Sequence, residues 1–295
     1  MNKKMLGDFG LLFVTVLWGG GFVAADIALE TATTFQIMAL RFTLALFLLC
    51  AIYYKHLKRI NLSIVLKGSL IGIFLFMAFY FQTEGLVYTT ATNNAFITTM
   101  NIIFVPFISY FFFKSKIDIF SIIGAVLAFI GVALLTITDS ITSINYGDFL
   151  TLLCAITFAI QIVLIGKFSK ETKEPILLTI IQIASCTILS IAFLLIAEPT
   201  PLTNISTRSM YGILYLAIFS TAVGFTIQTA CQMLTTDTRA VIFMSFEGVF
   251  GSFFSVIVLH EVITNQMYLG AFIMFVAIMI VQIPDIVDIK KKVKL

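Results

Sequence analysis

The sequence predicts an all-α integral membrane protein: ten transmembrane helices arranged as two inverted five-helix repeats. Three observations predict it. Hydrophobic residues make up 60% of the 295-residue chain and charged residues 11%, with a mean hydropathy of +1.08, whereas soluble chains carry about 25% charge. The apolar residues gather into runs of roughly 20, the length that crosses a bilayer as a helix. The second half of the chain also repeats the first, without a gap, at a spacing of 146 residues over three spans.

Taken in order, the spans are expected at 6–27, 34–54, 64–86, 91–113, 117–137, 147–167, 175–196, 209–233, 239–259 and 266–284. The longest connections are 55–63, 138–146 and 197–208. Two units follow, residues 6–137 and 147–284, with a basic tail over 285–295. Lys3 and Lys4 ahead of the first span, and Val23-Ala24-Ala25 near its end, give it a leader-like outline. Nine further spans follow, and the repeat needs the first one, so it is expected to stay as a helix.

The repeat matches polar as well as apolar positions. Phe79, Gln82 and Thr83 recur as Phe225, Gln228 and Thr229, and Thr89, Thr90 and Thr92 recur as Thr235, Thr236 and Thr238. Phe104, Phe107 and Ser109 recur as Phe250, Phe253 and Ser255, and Gly124-Ala125 as Gly270-Ala271. Such self-similarity is the mark of a duplicated structural unit. Spans one and six match at a spacing of 140, with Gly7-Asp8-Phe9 against Gly147-Asp148-Phe149. The six-residue difference falls around spans two and seven. Five helices per unit is an odd number, so the second unit enters the membrane upside down. Inverted repeats are typical of transporters, with the site near the midplane between the copies.

With the N-terminus in the cytoplasm, sixteen of the 18 Lys and Arg residues lie on the cytoplasmic side, Arg208 lies outside, and Arg41 falls within a span. This split obeys the positive-inside rule. Both termini are therefore expected in the cytoplasm, in a multi-pass protein of the cell (plasma or inner) membrane. Lys290 to Lys294 anchor that topology and can attract anionic headgroups, making membrane lipids expected partners.

Polar residues inside the spans mark the candidate substrate cavity. Asn94, Thr98 and Asn101 form one stripe on span four; in hydrocarbon it must face protein or water, either as helix glue or as cavity lining. The equivalent of Asn101 in the repeat is Glu247. An intramembrane carboxyl is a functional candidate because burying it is expensive, and Glu247 is the candidate for proton coupling. Gln82 and its mate Gln228, with Gln232 one turn on, form a further polar face. Trp18 aligns with Phe158, and Gly21 with Gln161; Trp18 and Gln161 join the cavity set. Arg41 and Glu84 sit at similar depth and form a candidate ion pair or gate. Gln82 and Glu84 lie about 200° apart around one helix, so only one can face the cavity. The glutamine, having a symmetry mate, is assigned to it.

Other features point away from chemistry. Gly19-Gly20-Gly21 has no preceding strand and no following Lys-Ser/Thr, so it is a close-contact or flexible segment and not a phosphate cradle. Cys50, Cys154, Cys186 and Cys231 lie in apolar runs as small hydrophobes. His56 and His260 show no metal-ligand spacing. No metal or cofactor is expected, and no nucleic-acid partner.

These residues resemble the drug/metabolite transporter superfamily, in its ten-helix EamA-type branch. The similarity rests on Leu17-Trp18-Gly19-Gly20-Gly21-Phe22-Val23, Arg41-Phe42, Gln82 through Asn94-Ala95-Phe96, and Val105-Pro106. In the second half it rests on Ser220-Thr221-Ala222 with Gln228, Phe246-Glu247-Gly248-Val249-Phe250, His260-Glu261 and Leu269-Gly270-Ala271. The chain departs from the usual pattern at Gly20 or Gly21, where a polar residue is common, and at Gly248, where proline is usual. The resemblance implies a central cavity lined by spans one, three, four, six, eight and nine.

The expected function is secondary active transport of small metabolites by alternating access, with export of amino acids or similar neutral or zwitterionic compounds, and proton coupling through Glu247. Positive charge at membrane depth is too sparse for phosphorylated substrates. The alternative is an exporter of drugs or apolar compounds; a passive channel or lipid-handling protein is a third class. An enzyme would need a nucleophile–base pair or a metal cluster at depth, and the sequence holds neither HExxH nor a Ser-His arrangement.

Overall fold

The computed structural model describes residues 3–114, 119–136, 145–197, 204–260 and, between 265 and 283, residues 265, 266, 268–270, 272, 273, 275–277, 279, 280 and 283. Among the described residues the chain is helical, with no strand. The elements are α1 (Lys3–Leu29), α2 (Thr34–Ile52), α3 (Leu62–Leu86), α4 (Ala91–Thr98), α5 (Asn101–Phe113), α6 (Ile119–Thr136), α7 (Tyr146–Thr172), α8 (Pro175–Ala197), α9 (Thr207–Tyr215), α10 (Gly224–Gln232), α11 (Asp237–Met244) and α12 (Phe246–Leu259). A 3₁₀ turn at His56–Arg59 follows α2, and a π-helical stretch, Leu216–Val223, joins α9 to α10.

Taken as continuous rods, these segments give eight helices long and apolar enough to cross a membrane. Two shorter apolar helices, Ile122–Gly131 and Tyr268–Ala277, fall in the fifth and tenth expected spans. The basic tail over 285–295 lies outside the described residues, as do Glu261 and Ala271.

Helix starts are set by side chains that satisfy free backbone N–H groups, which have no water to turn to near hydrocarbon. Thr33 and Gln36 form a reciprocal capping box on α2, Asn61 caps α3, and Ser206 caps α9. Thr90 caps α4 through the N–H of Asn93, and its repeat mate Thr236 caps α11 through that of Arg239. The far ends match as well. Lys114 after α5 and His260 after α12, again 146 apart, both take left-handed φ values, 53° and 58°.

The first helix of each half lies against the other half. α1 packs on α9, α10, α11 and α12, while α7 packs on α3, α4 and α5. Small residues make these approaches possible: a Cβ on Gly19 would stand 2.5 Å from Phe250 Cβ and 2.8 Å from Gly251 N. The α3–α8 contact uses Gly72 in the same way, where a Cβ would stand 2.6 Å from the Gln182 carbonyl.

α1 and α7 run in opposite directions. Lys170, near the end of α7, donates to the Thr235 carbonyl (2.7 Å), and Thr235 also bonds to Asp8 at the start of α1 (3.3 Å). Asp148, at the start of α7, is 22 residues back along the helix from Lys170, roughly 33 Å at 1.5 Å per residue. Asp8 and Asp148 therefore mark opposite ends of the bundle. Outside, the molecule presents apolar side chains to lipid, with Phe47, Phe111, Phe112 and Ile196 between 73% and 81% exposed.

Candidate functional site

Spans four and nine each tighten midway, at equivalent residues. In the first half the Thr99 hydroxyl donates to the Phe96 carbonyl (2.6 Å); in the second, Ser245 donates to the Ile242 carbonyl (2.8 Å). Backbone bonds there shift to three-residue spacing, Ile102 N to Thr99 O and Gly248 N to Ser245 O. Hydroxyls that bond back onto a helix bend it. These two bends separate α4 from α5 and α11 from α12, and they set Asn101 and Glu247 at the first turn of the following segments.

Both residues line a cavity between the repeats. Its walls are mostly apolar and aromatic. Trp18, Phe22, Phe79, Phe158, Phe225 and Met244 contribute, and Phe79 packs on Phe158 (5.2 Å) and Phe225 (5.7 Å). Polar groups interrupt them at Arg41, Gln82, Thr83, Asn94, Asn101, Ser220, Gln228 and Glu247.

Six of the nine residues assigned to the cavity from the sequence meet there. Trp18 donates its indole N–H to the Ser220 carbonyl (2.9 Å) and packs on Phe225 (5.3 Å). Gln82 donates to Thr98 Oγ1 (3.3 Å), and Asn94 donates to the Gln82 carbonyl (3.0 Å) and Thr151 Oγ1 (2.9 Å). Asn101 Oδ1 and Gln228 Oε1 accept no hydrogen bond among the described residues. Glu247 is 6% exposed, and no hydrogen bond or ion pair reaches it among the described residues. The other three are buried elsewhere. Thr98 stands behind Gln82, against Cys154 Sγ (3.8 Å). Gln161 donates to Gln182 Oε1 (3.4 Å) between α7 and α8, and Gln232 donates to the Ile162 carbonyl (3.1 Å), tying α10 to α7. The two glutamines use their amides as links between helices.

Arg41 and Glu84 do not pair. Glu84 accepts from Thr34 Oγ1 (2.7 Å) at the start of α2. Arg41 lies seven residues further along α2, about 10 Å at 1.5 Å per residue, and turns into the cavity. Its Nε and Nη2 donate to Thr221 Oγ1 (3.1 and 2.9 Å), with Ser220 Oγ at 3.5 Å from Nη2. Its guanidinium lies 4.1 Å from the Phe79 ring centroid. Ser220 and Thr221 sit in the π-helical stretch. The wider turn leaves the Ser220 carbonyl to the Trp18 indole; π-turns of this kind recur at functional sites.

Apart from Trp18, sequence reasoning did not assign the aromatic set to the cavity, nor Arg41 or Ser220. For the aromatics a signal existed: Phe79 recurs as Phe225, and Phe158 aligns with Trp18. The π-helical stretch has no counterpart signal in the sequence.

Beyond the cavity the repeats meet in related contacts at both ends. Asp8, 4% exposed, accepts from Arg239, 5% exposed, through Nε (3.1 and 3.0 Å) and Nη2 (2.7 Å). Thr235 adds its hydroxyl to Asp8, and Ser109 donates to Asp237 Oδ2 (3.0 Å) nearby. At the opposite end the equivalent residues Thr89 and Asp148 bond at 2.7 Å. Asn145 donates to the Tyr88 carbonyl there, and Gly85 faces Gly147.

An all-α membrane protein built from two inverted halves around a central cavity belongs to the class of membrane transporters. The EamA-like transporter family matches residues 5–137 and 145–283, and the chain belongs to that family. It is 34% identical over 281 residues to an uncharacterized transporter of Archaeoglobus fulgidus, covering 95% of this chain and 87% of the relative. It is similar to two Bacillus subtilis (strain 168) proteins: uncharacterized transporter YoaV (22% identity, 92% of this chain, 94% of the relative) and uncharacterized transporter YyaM (27% identity, 73% of each). A solved crystal structure shares the fold with a TM-score of 0.74 at 15% identity, covering 96% of this chain and 98% of the other.

Proposed function

We propose that this transporter exports small zwitterionic metabolites of amino-acid size by alternating access, coupled to protons through Glu247. The observation that supports this is the pairing of opposite charges across one cavity. Arg41 comes from the first repeat and Glu247 from the second, and they do not neutralise each other. A substrate that carries both charges would satisfy both poles at once. An unpartnered carboxylate at membrane depth is costly, so Glu247 takes a proton when no cationic group faces it, and gives that proton up to water when the substrate's ammonium pairs with the carboxylate. The positive-inside reading puts the Asp8 end in the cytoplasm, and protons entering through Glu247 in exchange for substrate would drive the outward direction.

Counterflow of labelled L-amino acids in proteoliposomes tests the carrier reading, because trans-stimulation distinguishes a carrier from a channel. Wild-type transport is expected to respond to an imposed pH gradient, and Glu247→Gln to lose that response. A gradient response that persists in Glu247→Gln removes the coupling. The aromatic walls favour a second reading, export of apolar compounds. Under it, apolar dyes lacking both charges would be carried, and the amino acids would not.

A further inference from the structure

We propose that Arg41, held by hydroxyls of the π-helical stretch of the second repeat, is the receptor for the substrate's carboxylate. The inference rests on the zwitterion reading and names which pole holds which charge. Arg41 is 2% exposed and has no carboxylate partner among the described residues. Its partners among the described residues are two hydroxyls and two aromatic faces, Phe79 at 4.1 Å and Phe42 at 5.2 Å. Neither kind of partner neutralises a guanidinium, and a cation buried at this depth is retained at a cost.

The geometry leaves a place for an anion. Nε and Nη2 are engaged by Thr221 and Ser220, while Nη1 donates to nothing among the described residues and the side chain lines the cavity. Ser220 also lines the cavity, and a hydroxyl that accepts from the guanidinium keeps its own proton to donate. One carboxylate can therefore take charge-assisted bonds from the guanidinium and one from Ser220. Phe79 beneath the guanidinium holds its plane, so the fork is set before the ligand arrives. A single cation suits a monocarboxylate better than a phosphate group. Glu247, on the other repeat, then faces the ammonium.

The test measures thermal stabilisation of the purified full-length protein by L-α-amino acids, by their carboxamides and by the matching carboxylic acids without the amine. Amino acids are expected to stabilise it, and the carboxamides at least tenfold more weakly. Arg41→Gln is expected to erase the distinction between acid and amide, and Arg41→Lys to restore part of it. If the amine-free acids bind as well as the amino acids, the carboxylate receptor stands and the zwitterion reading falls. If acids and amides bind equally to the wild type, the receptor falls while the transport reading survives; this arm needs no variant to fold. If no compound in the panel binds, both fall.

Discussion

The two ends of the bundle are built from the same repeat and closed by different chemistry. At one end Asp8 is held by Thr235 and by the guanidinium of Arg239; at the other, Asp148 is held by Thr89, and Asn93 stands where the repeat places Arg239. The Asp8 end is an electrostatic clasp, nearly out of water. The Asp148 end depends more on close packing: a Cβ on Gly147 would lie 2.6 Å from the Gly85 carbonyl, whereas one on the equivalent Gly7 would lie 3.0 Å from the Cys231 carbonyl. Duplication alone would make the two ends equally easy to separate. Substituting one residue in one copy, Arg for Asn, is a direct way to set the difference.

Breaking the clasp should have the largest effect. Asp8→Asn or Arg239→Gln removes one partner of a buried ion pair, a loss of about 3–5 kcal/mol, and the double substitution should recover part of it. Thermal unfolding of the three variants measures this, and a double variant no better than either single one would contradict the clasp. Gly147→Ala should come next, at about 1–3 kcal/mol of overpacking, with Gly7→Ala smaller. Equal effects at the two glycines would mean that packing does not distinguish the ends. Thr89→Val should be the mildest, about 0.5–1.5 kcal/mol for one hydrogen bond, because Asp148 is only half-buried and can turn to water. Cysteine labelling by impermeant reagents, applied to each variant from each side, would show which end each substitution loosens.

How much of this was legible beforehand depended on the kind of information the repeat holds. Spacing identified Asn101 with Glu247 and Gln82 with Gln228, and all four line the cavity. Spacing also flagged Asp8 with Asp148 and Thr89 with Thr235, the frame of both ends, but not their partners. Gln161 and Gln232 have the same polarity and depth as the cavity amides, yet bond to neighbouring helices. Which face a residue presents depends on how its helix is rotated by packing. The Arg41–Glu84 pairing failed for a related reason: similar depth is necessary for contact, but the azimuth of α2 directs Arg41 to α9–α10 and leaves Glu84 beside Thr34.

By itself the sequence determined the membrane class, the repeat, the family resemblance and the polar candidates, because hydrophobicity, period and spacing are properties of the chain taken in order. The tertiary structure alone decided that Arg41 and Glu247 face one cavity unpaired, that a π-helical stretch presents Ser220 and Thr221 to the guanidinium, and that Arg239 reaches Asp8 across 231 residues of chain. Those outcomes depend on helix rotation and on contacts between residues far apart in the sequence, set by side-chain packing between the halves.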